Sequence, residues 1–390
     1  MRDTKVALKV CNEYDGDMIA GKLKEGFDLL GGLSNYIKPG HTVLIKPDLY
    51  NCSEPNQAKT TNPNVVSALA ELVYKIGATC IIADSPKGDF KQSNLDNAYV
   101  KTQMLQVSNN GHAMLNINDD IAIATNPNGE HCRNVYVIDA VNDADVIINV
   151  GKFRCDKNLG LIGCSQNIFG LIPGKFKELI KSRCHTLKSY YNYIHDIYEV
   201  FEDKIVLNIL DGIVASEVNN DPRILNTILI GENPYAVDSV ALKVINQNPQ
   251  DSLLLNESVR RGKFSFDLEL VGDNIEPLIC SDFHYTSFGE NVKSASMRKF
   301  RQEYNSYQKR PVIPSNLCKG CKICIANCPM KAISMQSGQF GEYAKVDYDR
   351  CITCLKCVDN CPYKVIKTKT PIKYRPIDRM IKKSLRERKD

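Results

Sequence analysis

Apolar positions in the first three hundred residues follow two alternating rhythms. Short runs such as KVALKV (5–10), HTVLIKP (41–47) and TCIIADSP (79–86) are apolar enough for buried strands. Between them, MIAGKLKEGFDLLGG (18–32) and TNPNVVSALAELVYKIGA (61–78) repeat apolar residues every three or four positions and stop at glycines. Asn62 and Pro63 are residues that start helices, and Gly77 is one that ends them. NVYVI (134–138), ADVIINV (144–150), KIVLNIL (204–210) and TILIG (227–231) continue the strand series. Strands alternating with helices predict an α/β class: a large N-terminal α/β domain over residues 1–280 with a mostly parallel sheet.

The pattern changes after that. Residues 281–312 are polar and basic and read as a connector, with one helix expected around MRKFRQEY. Residues 313–368 concentrate cysteine and are expected to form a small α+β ferredoxin-like domain. Residues 369–390 form a basic tail. In the segment PIDRMIKKSLRERKD, Ile377, Met380, Ile381 and Leu385 fall on one helical face. Such a helix packs on its own protein, on a membrane surface or on an acidic redox partner of ferredoxin or flavodoxin type.

Charge sharpens this division. The chain of 390 residues carries +5, but residues 367–390 hold ten Lys/Arg against three Asp/Glu, leaving −2 for the preceding 366. A basic tail gives little support to nucleic-acid binding by the whole chain. The start MRDTKVALKV lacks the apolar core of a signal peptide. No run approaches eighteen uninterrupted apolar residues, so no transmembrane segment is expected. Sixteen cysteines in a chain read as cytoplasmic point to metal ligation rather than disulfides.

Eight of those cysteines lie in two runs, CKGCKICIANCP (318–329) and CITCLKCVDNCP (351–362), both C-x2-C-x2-C-x3-C-P. Three thiolates two residues apart wrap three irons of a cubane, and the fourth, before proline, supplies the last iron of the other cluster. This assigns Cys318, Cys321, Cys324 and Cys361 to one 4Fe–4S cluster, and Cys351, Cys354, Cys357 and Cys328 to a second. Zinc ribbons also use CxxC pairs, but not two consecutive runs of this spacing. Pro329 and Pro362 end the loops, and the segment between them suits two short strands joined by a turn. This part resembles a two-cluster ferredoxin. Where many ferredoxins have glycine after the second cysteine of a run, this chain has Lys322 and Leu355.

In the α/β domain, polar clusters follow strands: KPD (46–48), DSP (84–86), GKFR (151–154) and DG (211–212). Ligands of parallel sheets bind beyond the carboxyl ends of the strands, so these clusters are candidates for one cleft; polar turns are the alternative. Lys46, Asp84, Lys152, Asp211 and Asp238 are the candidate catalytic residues. The aspartates suit a cation or a hydroxyl, and Lys46, Lys152 and Arg154 suit carboxylate or phosphate. Asp238 also fits a role capping or packing beside a helix. Gly151, Gly160, Gly163, Gly170 and Gly174 crowd one span, suggesting a loop where backbone approaches a ligand. That span contains no dinucleotide-binding or P-loop fingerprint.

VLIKPDLY (43–50), TNP (61–63), GATCIIADSP (77–86), NVGKFRCDKNLGLIGCSQNIFGLIPG (149–174), LDGIVASE (210–217) and GENPYAVDSVAL (231–242) form an ordered motif series. Over about residues 1–270 this series resembles domain-of-unknown-function family 362, which implies an α/β fold often followed by a ferredoxin domain. Where that family tends to read P-K-x-K-T-H, this chain has Gly151, Lys152, Phe153, Arg154, Cys155 and Asp156. Where the family reads T-G-A-x-K-N, it has Ile162, Gly163, Cys164, Ser165, Gln166 and Asn167. A histidine and a lysine are replaced, which implies a different ligand or altered chemistry at that site. Cys155 and Cys164, with His185 nearby, are either compensating ligands or redox thiols, or they are buried and inert as free cysteines commonly are.

Two readings of function follow. One is an iron–sulfur oxidoreductase acting on a small anionic substrate in the α/β domain. The other is a relay that docks a partner redox enzyme and passes electrons. An iron–sulfur sensor is a third, without any DNA-reading motif behind it.

Overall fold

The computed structural model describes residues 3–184, 186–286, 310–328, 331–339, 341–348, 351 and 355–369. His185, Pro329, Cys354, the helix expected around MRKFRQEY and the amphipathic tail lie outside the described residues. The chain divides into two units, Met1–Lys177 with Thr186–Val292, and Glu178–His185 with Lys293–Asp390.

The first unit is built on strands Val6–Val10 (β1), Thr42–Pro47 (β2), Thr79–Ile82 (β3), Met114–Leu115 (β4), Val146–Asp156 (β7), Gly160–Ile162 (β8), Ile205–Ser216 (β9), Pro222–Gly231 (β10) and Leu270–Gly272 (β11). A hairpin, Ile121–Thr125 (β5) and Asn134–Ile138 (β6), stands outside that sheet. The sheet order is β11-β1-β10-β9-β7-β2-β3-β4, with β8 paired to β7. Pairings β9-β7, β7-β2, β2-β3, β3-β4 and β1-β11 are parallel; β1-β10, β10-β9 and β7-β8 are antiparallel. The sheet is therefore mixed but mostly parallel, as the alternating pattern predicts. Its central strands are apolar on both faces, with Val43, Leu44, Ile45, Ile147, Ile148, Leu207 and Ile209 fully buried. A parallel sheet covered on both sides requires that.

Helices of this unit are Gly16–Leu29 (α1), Pro63–Lys75 (α2), Gln92–Lys101 (α3), Met104–Asn109 (α4), Ala140–Asp143 (α5), Cys164–Asn167 (α6), Leu187–Phe201 (α8), Pro234–Val244 (α9) and Leu253–Arg260 (α10). One more, Gly174–Arg183 (α7), spans the division between the units. Their starts are written locally. Asp15 accepts from the Met18 N–H at 2.8 Å, and Asn62 accepts from the Asn64 N–H at 2.9 Å with Pro63 in the first turn. Thr186 and Ser189 cap α8 reciprocally. On α1, Ile19, Leu23, Gly26 and Phe27 form the buried stripe.

Gly163, Gly170 and Gly174 of the crowded span are required by close approach, the last against the Gly88 backbone, and the protein itself fills the space. A Cβ on Gly163 would come within 2.1 Å of Asp238 Oδ1. One on Gly170, in the short turn Ile168–Leu171, would lie 2.3 Å from Lys46 Nζ and 2.0 Å from Asp84 Oδ1. The expectation of a glycine loop approaching a ligand gives way here to backbone packed on buried charged side chains.

The second unit contains strands Arg310–Val312 (β12), Ile333–Gly338 (β13), Gly341–Val346 (β14) and Lys367–Lys369 (β15), and short helices Ile323–Ala326 (α11) and Lys356–Asp359 (α12). β12 pairs with β15 and β13 with β14, both antiparallel. Its core comprises Cys324, Ile333, Ala344, Val346, Cys357, Cys361 and Ile366. The two halves repeat at an interval of 33 residues. α11 and α12 correspond, as do Lys322 and Leu355 at φ +61° and +59°, and Lys331 and Lys364 at +47° and +50°. The left-handed backbone at Lys322 and Leu355 explains why glycine suits those positions, since a Cβ there is strained.

Gly163→Ala is expected to lower stability by about 1–3 kcal/mol through overpacking against Asp238. Denaturant unfolding measures this, and a neutral result would contradict the tight fit.

Candidate functional site

The polar clusters after the strands meet because β2, β7 and β9 run parallel in register. Lys46 stands opposite Asn149, and Asn149 opposite Asn208. Three positions further along, Lys152 stands opposite Asp211. Side chains alternate along a strand, so an interval of three places these two rows on opposite faces of the sheet.

On one face, Lys46 Nζ lies 2.9 Å from Asp84 Oδ1, and both side chains are almost wholly enclosed. The ammonium also donates to Asn167 Oδ1 at 2.9 Å and to the Pro47 carbonyl at 3.0 Å. Asp84 Oδ2 accepts from the Leu49 N–H at 2.8 Å. The row continues through amides: Asn167 Nδ2 donates to Asn149 Oδ1, and Asn149 Nδ2 to Asn208 Oδ1, each at 2.8 Å. Asn208 then donates to the Glu232 carbonyl at 2.8 Å. Asn149 Nδ2 also holds the Cys164 carbonyl at 2.8 Å, which fixes α6 over the sheet.

On the other face, Lys152 Nζ lies 2.9 Å from Asp211 Oδ2 and donates to the Tyr14 hydroxyl at 2.8 Å. That hydroxyl donates to Asp211 Oδ1 at 2.7 Å and accepts from the Val214 N–H at 3.2 Å. The Asn62 N–H, at the start of α2, donates to Asp211 Oδ2 at 2.9 Å, so the positive end of the helix faces the carboxylate. Burial pulls the Lys152 ammonium below its ordinary pKa, with Asp211 acting against it. Burial and the Asp211 charge push the Tyr14 phenol well up. Beside this triad, Arg154 Nε meets Asp48 Oδ2 at 2.7 Å. Burial disfavours the guanidinium, but Asp48 outweighs it and holds its pKa above the usual value.

Asp238 stands apart from both rows. From α9 its Oδ1 accepts from the Cys164 N–H at 2.7 Å and its Oδ2 from the Ser165 N–H at 3.0 Å, with the Ser165 hydroxyl also donating to Oδ2. Those contacts hold the start of α6. Burial pushes its carboxyl up to about 6, against the pull of the Ser165 and Cys164 donors. Asp238 also lines a small cavity of about 20 Å³ with Gln166, Tyr191, Ser252 and Tyr285, room for a single water. That cavity and the clefts around Arg260 and Tyr36 have none of Lys46, Asp84, Lys152 or Asp211 in their walls.

Cys155 and Cys164 are buried, and burial pushes both thiols far above their ordinary pKa. Cys164 Sγ donates to the Ile209 carbonyl at 3.4 Å, and Cys184 Sγ to the Ile180 carbonyl at 3.2 Å. Tyr14, Asn149 and Asn208 are members of this constellation that sequence reasoning alone does not find. A lone asparagine inside an apolar strand, as in ADVIINV and KIVLNIL, is the available signal for two of them. Tyr14 has none.

In the second unit Cys318, Cys321 and Cys361 lie close enough to Cys324 to act on its charge. Burial raises the Cys324 thiol, and Cys318, Cys321 and Cys361 push it the same way. The Ala344 N–H donates to Cys318 Sγ at 3.4 Å, and the Ala332 N–H to Cys328 Sγ at 3.3 Å. At Cys361 burial works against the thiolate, but backbone N–H groups of Val365, Tyr363, Ile366 and Lys364 outweigh it and lower the pKa. Thiols gathered in loops with N–H groups aimed at sulfur suit an iron–sulfur cluster, whose sulfurs accept such bonds.

The family described as Domain of unknown function (DUF362) matches residues 43–243, more than half of the chain. The chain belongs to the DUF362 family. The matched DUF362 region holds both buried rows apart from Tyr14 and stops one residue before the end of α9. A 4Fe-4S dicluster domain matches residues 317–365, so the DUF362 region is followed by a ferredoxin-type iron–sulfur domain. A relative is the thylakoid-associated protein sll1697 of Synechocystis sp., 28% identical over 291 residues, 69% of this chain and 86% of that protein. A solved structure, the lactate racemase apoprotein from Thermoanaerobacterium thermosaccharolyticum, aligns at a TM-score of 0.40 and 14% identity, over 62% of this chain and 57% of that one. Among the described residues no helix is long and apolar enough to cross a membrane.

Lys152→Met is expected to cost about 3–5 kcal/mol, because Asp211 is left buried without its cation. Adding Asp211→Asn recovers part of the loss, since no net charge then remains inside. Urea unfolding of both single variants and the double variant reads the coupling; strictly additive losses would contradict the pairing.

A second expectation concerns pH. Asp238 binds its proton more tightly folded than unfolded, so stability falls as pH rises from about 4 to about 6 and is level above that. Melting curves between pH 4 and 7 are expected to show this downward component below about pH 6 in the wild type and not in Asp238→Asn. Equal pH slopes in the two proteins would contradict it.

Proposed function

We propose that the protein transfers electrons through two 4Fe–4S clusters and that these serve an oxidoreductase reaction on a small anionic substrate in the DUF362 domain. What carries the cluster reading is the 33-residue repeat of cysteine loops. It supports one cluster on Cys318, Cys321, Cys324 and Cys361, and a second on Cys351, Cys354, Cys357 and Cys328. When bound, the clusters supply one-electron transfer. The chain's own part is to hold four thiolates around each, aim N–H groups at sulfur, and exclude water with Ile333, Ala344, Val346 and Ile366.

The substrate reading rests on Lys46 and Lys152 at the carboxyl ends of parallel strands. Each is a desolvated cation whose present counter-charge is an aspartate, and a carboxylate or phosphate takes the same place by exchange. Tyr14, bridging Lys152 and Asp211, would orient such a ligand. The relay reading is favoured by a different observation. All five candidate side chains are at most 2% exposed, and Lys46 and Lys152 are already paired with aspartates. In a relay the DUF362 domain is a docking body for a partner redox enzyme.

Native mass spectrometry of the full-length protein, purified anaerobically, separates the readings. Two 4Fe–4S units plus a small anionic mass that disappears in Lys152→Met support the oxidoreductase; two clusters alone support the relay. Cys361→Ala is expected to lose the cluster shared with Cys318, Cys321 and Cys324 and keep the other. Loss of the other cluster instead would reverse the assignment.

A further inference from the structure

The two cysteine loops repeat in backbone but not in surface chemistry. The first reads CKGCK, with Lys319 and Lys322 exposed on either side of Cys321, which is itself exposed. The corresponding positions of the second, CITCL, are Ile352 and Leu355. The backbone adds to this difference. The Ala344 N–H bonded to Cys318 Sγ sets β14 against this loop, and Lys345 is the next, exposed residue of that strand. Leu317 and Ile323 are 43% and 38% exposed beside these lysines. Glu342 is the acidic residue at this place, its carbonyl 3.4 Å from where a Gly320 Cβ would stand. Three lysines against one glutamate around two exposed apolar side chains make an apolar centre with a basic rim.

Residues 310–369 contain ten Lys/Arg and four Asp/Glu, a sum of +6 that owes nothing to residues 370–390. Lys322 keeps its side chain despite a left-handed backbone that glycine adopts without strain, which places a charge one residue from a cluster cysteine at an energetic cost.

We infer that the loop at 317–323, with Lys345, is the docking face for an acidic one-electron carrier protein, and that the cluster held by Cys318, Cys321 and Cys324 is the one that exchanges electrons with it. The inference rests on the electron-transfer reading above. In the reductive direction one electron leaves the carrier's cofactor and is taken up by that cluster; no covalent bond forms or breaks. Complementary charge steers the encounter and aligns the carrier, an effect that salt screens. The apolar centre supplies the short-range contact once water is displaced.

Stopped-flow reduction of the full-length, cluster-loaded protein tests this, with photoreduced flavodoxin as the acidic donor and deazariboflavin semiquinone as a small neutral one. The second-order rate with flavodoxin is expected to fall with ionic strength. In Lys319→Glu with Lys322→Glu it is expected to fall about tenfold at low salt. Lys322→Gly, which removes the charge and relaxes the backbone, gives a smaller loss in the same direction. Lys367→Glu with Lys369→Glu, both exposed on β15, changes the rate less than twofold, and the neutral donor reduces all variants equally. Iron content and visible absorption verify that each variant is loaded. Equal losses in the two double variants, or an equal loss with the neutral donor, would overturn the inference. So would a salt-insensitive rate accompanied by a changed sedimentation coefficient, which would place a second copy of the chain on this face. A loaded protein that takes no electron from the neutral donor would instead remove the electron-transfer reading beneath it.

Discussion

A lysine ammonium removed from water keeps its charge only if a carboxylate comes with it, and this protein buries two such pairs between strands of one sheet. Lys46 with Asp84 and Lys152 with Asp211 are each about 2.9 Å apart and almost wholly enclosed. The desolvation of four charges is offset only where geometry is close and the remaining donors and acceptors are bonded. Much of the surrounding fold meets that condition. Asn167, Asn149 and Asn208 extend the first pair, and Tyr14 and the start of α2 complete the second. Gly170 lacks a side chain because the first pair occupies that space.

This constraint joins the fold to the proposed chemistry. In the reading proposed above, an anionic substrate takes the aspartate's place beside the lysine and inherits the positive environment it leaves. The same enclosure holds Asp211 in place until something displaces it. Asp238, raised toward neutrality by burial, acts elsewhere. It ties α9 to α6 and so fixes the turn that covers Lys46.

Much of this was legible in the chain, though unevenly. Apolar runs and helical periods gave the α/β class and a mostly parallel sheet, because both faces of such a sheet are covered and its strands are apolar throughout. That β10 runs antiparallel to its neighbours β1 and β9 was not legible, since strand direction leaves no mark on composition. Lys46, Asp84, Lys152 and Asp211 stood out as charges at strand ends, but their partners follow from register, which sequence does not print. Tyr14 joins the second pair from a loop 138 residues before Lys152, with nothing in its neighbourhood to mark it. The glycines of 151–174 suggested a ligand loop, where two of them make room for Asp238, Lys46 and Asp84. The cysteine loops were the most legible part. Ligand spacing in a short loop is set by cluster geometry, so sequence distance translates directly into space.

Two cubanes within one small fold are the centre of this account. The most direct test is electron paramagnetic resonance of the full-length protein reduced stepwise at controlled potential, with iron counted in the same sample. The account predicts eight irons per chain and two one-electron paramagnets whose spectra broaden and split when both are reduced, because neighbouring spins couple. Zinc in place of iron, or a single cluster with no coupled signal, would contradict it.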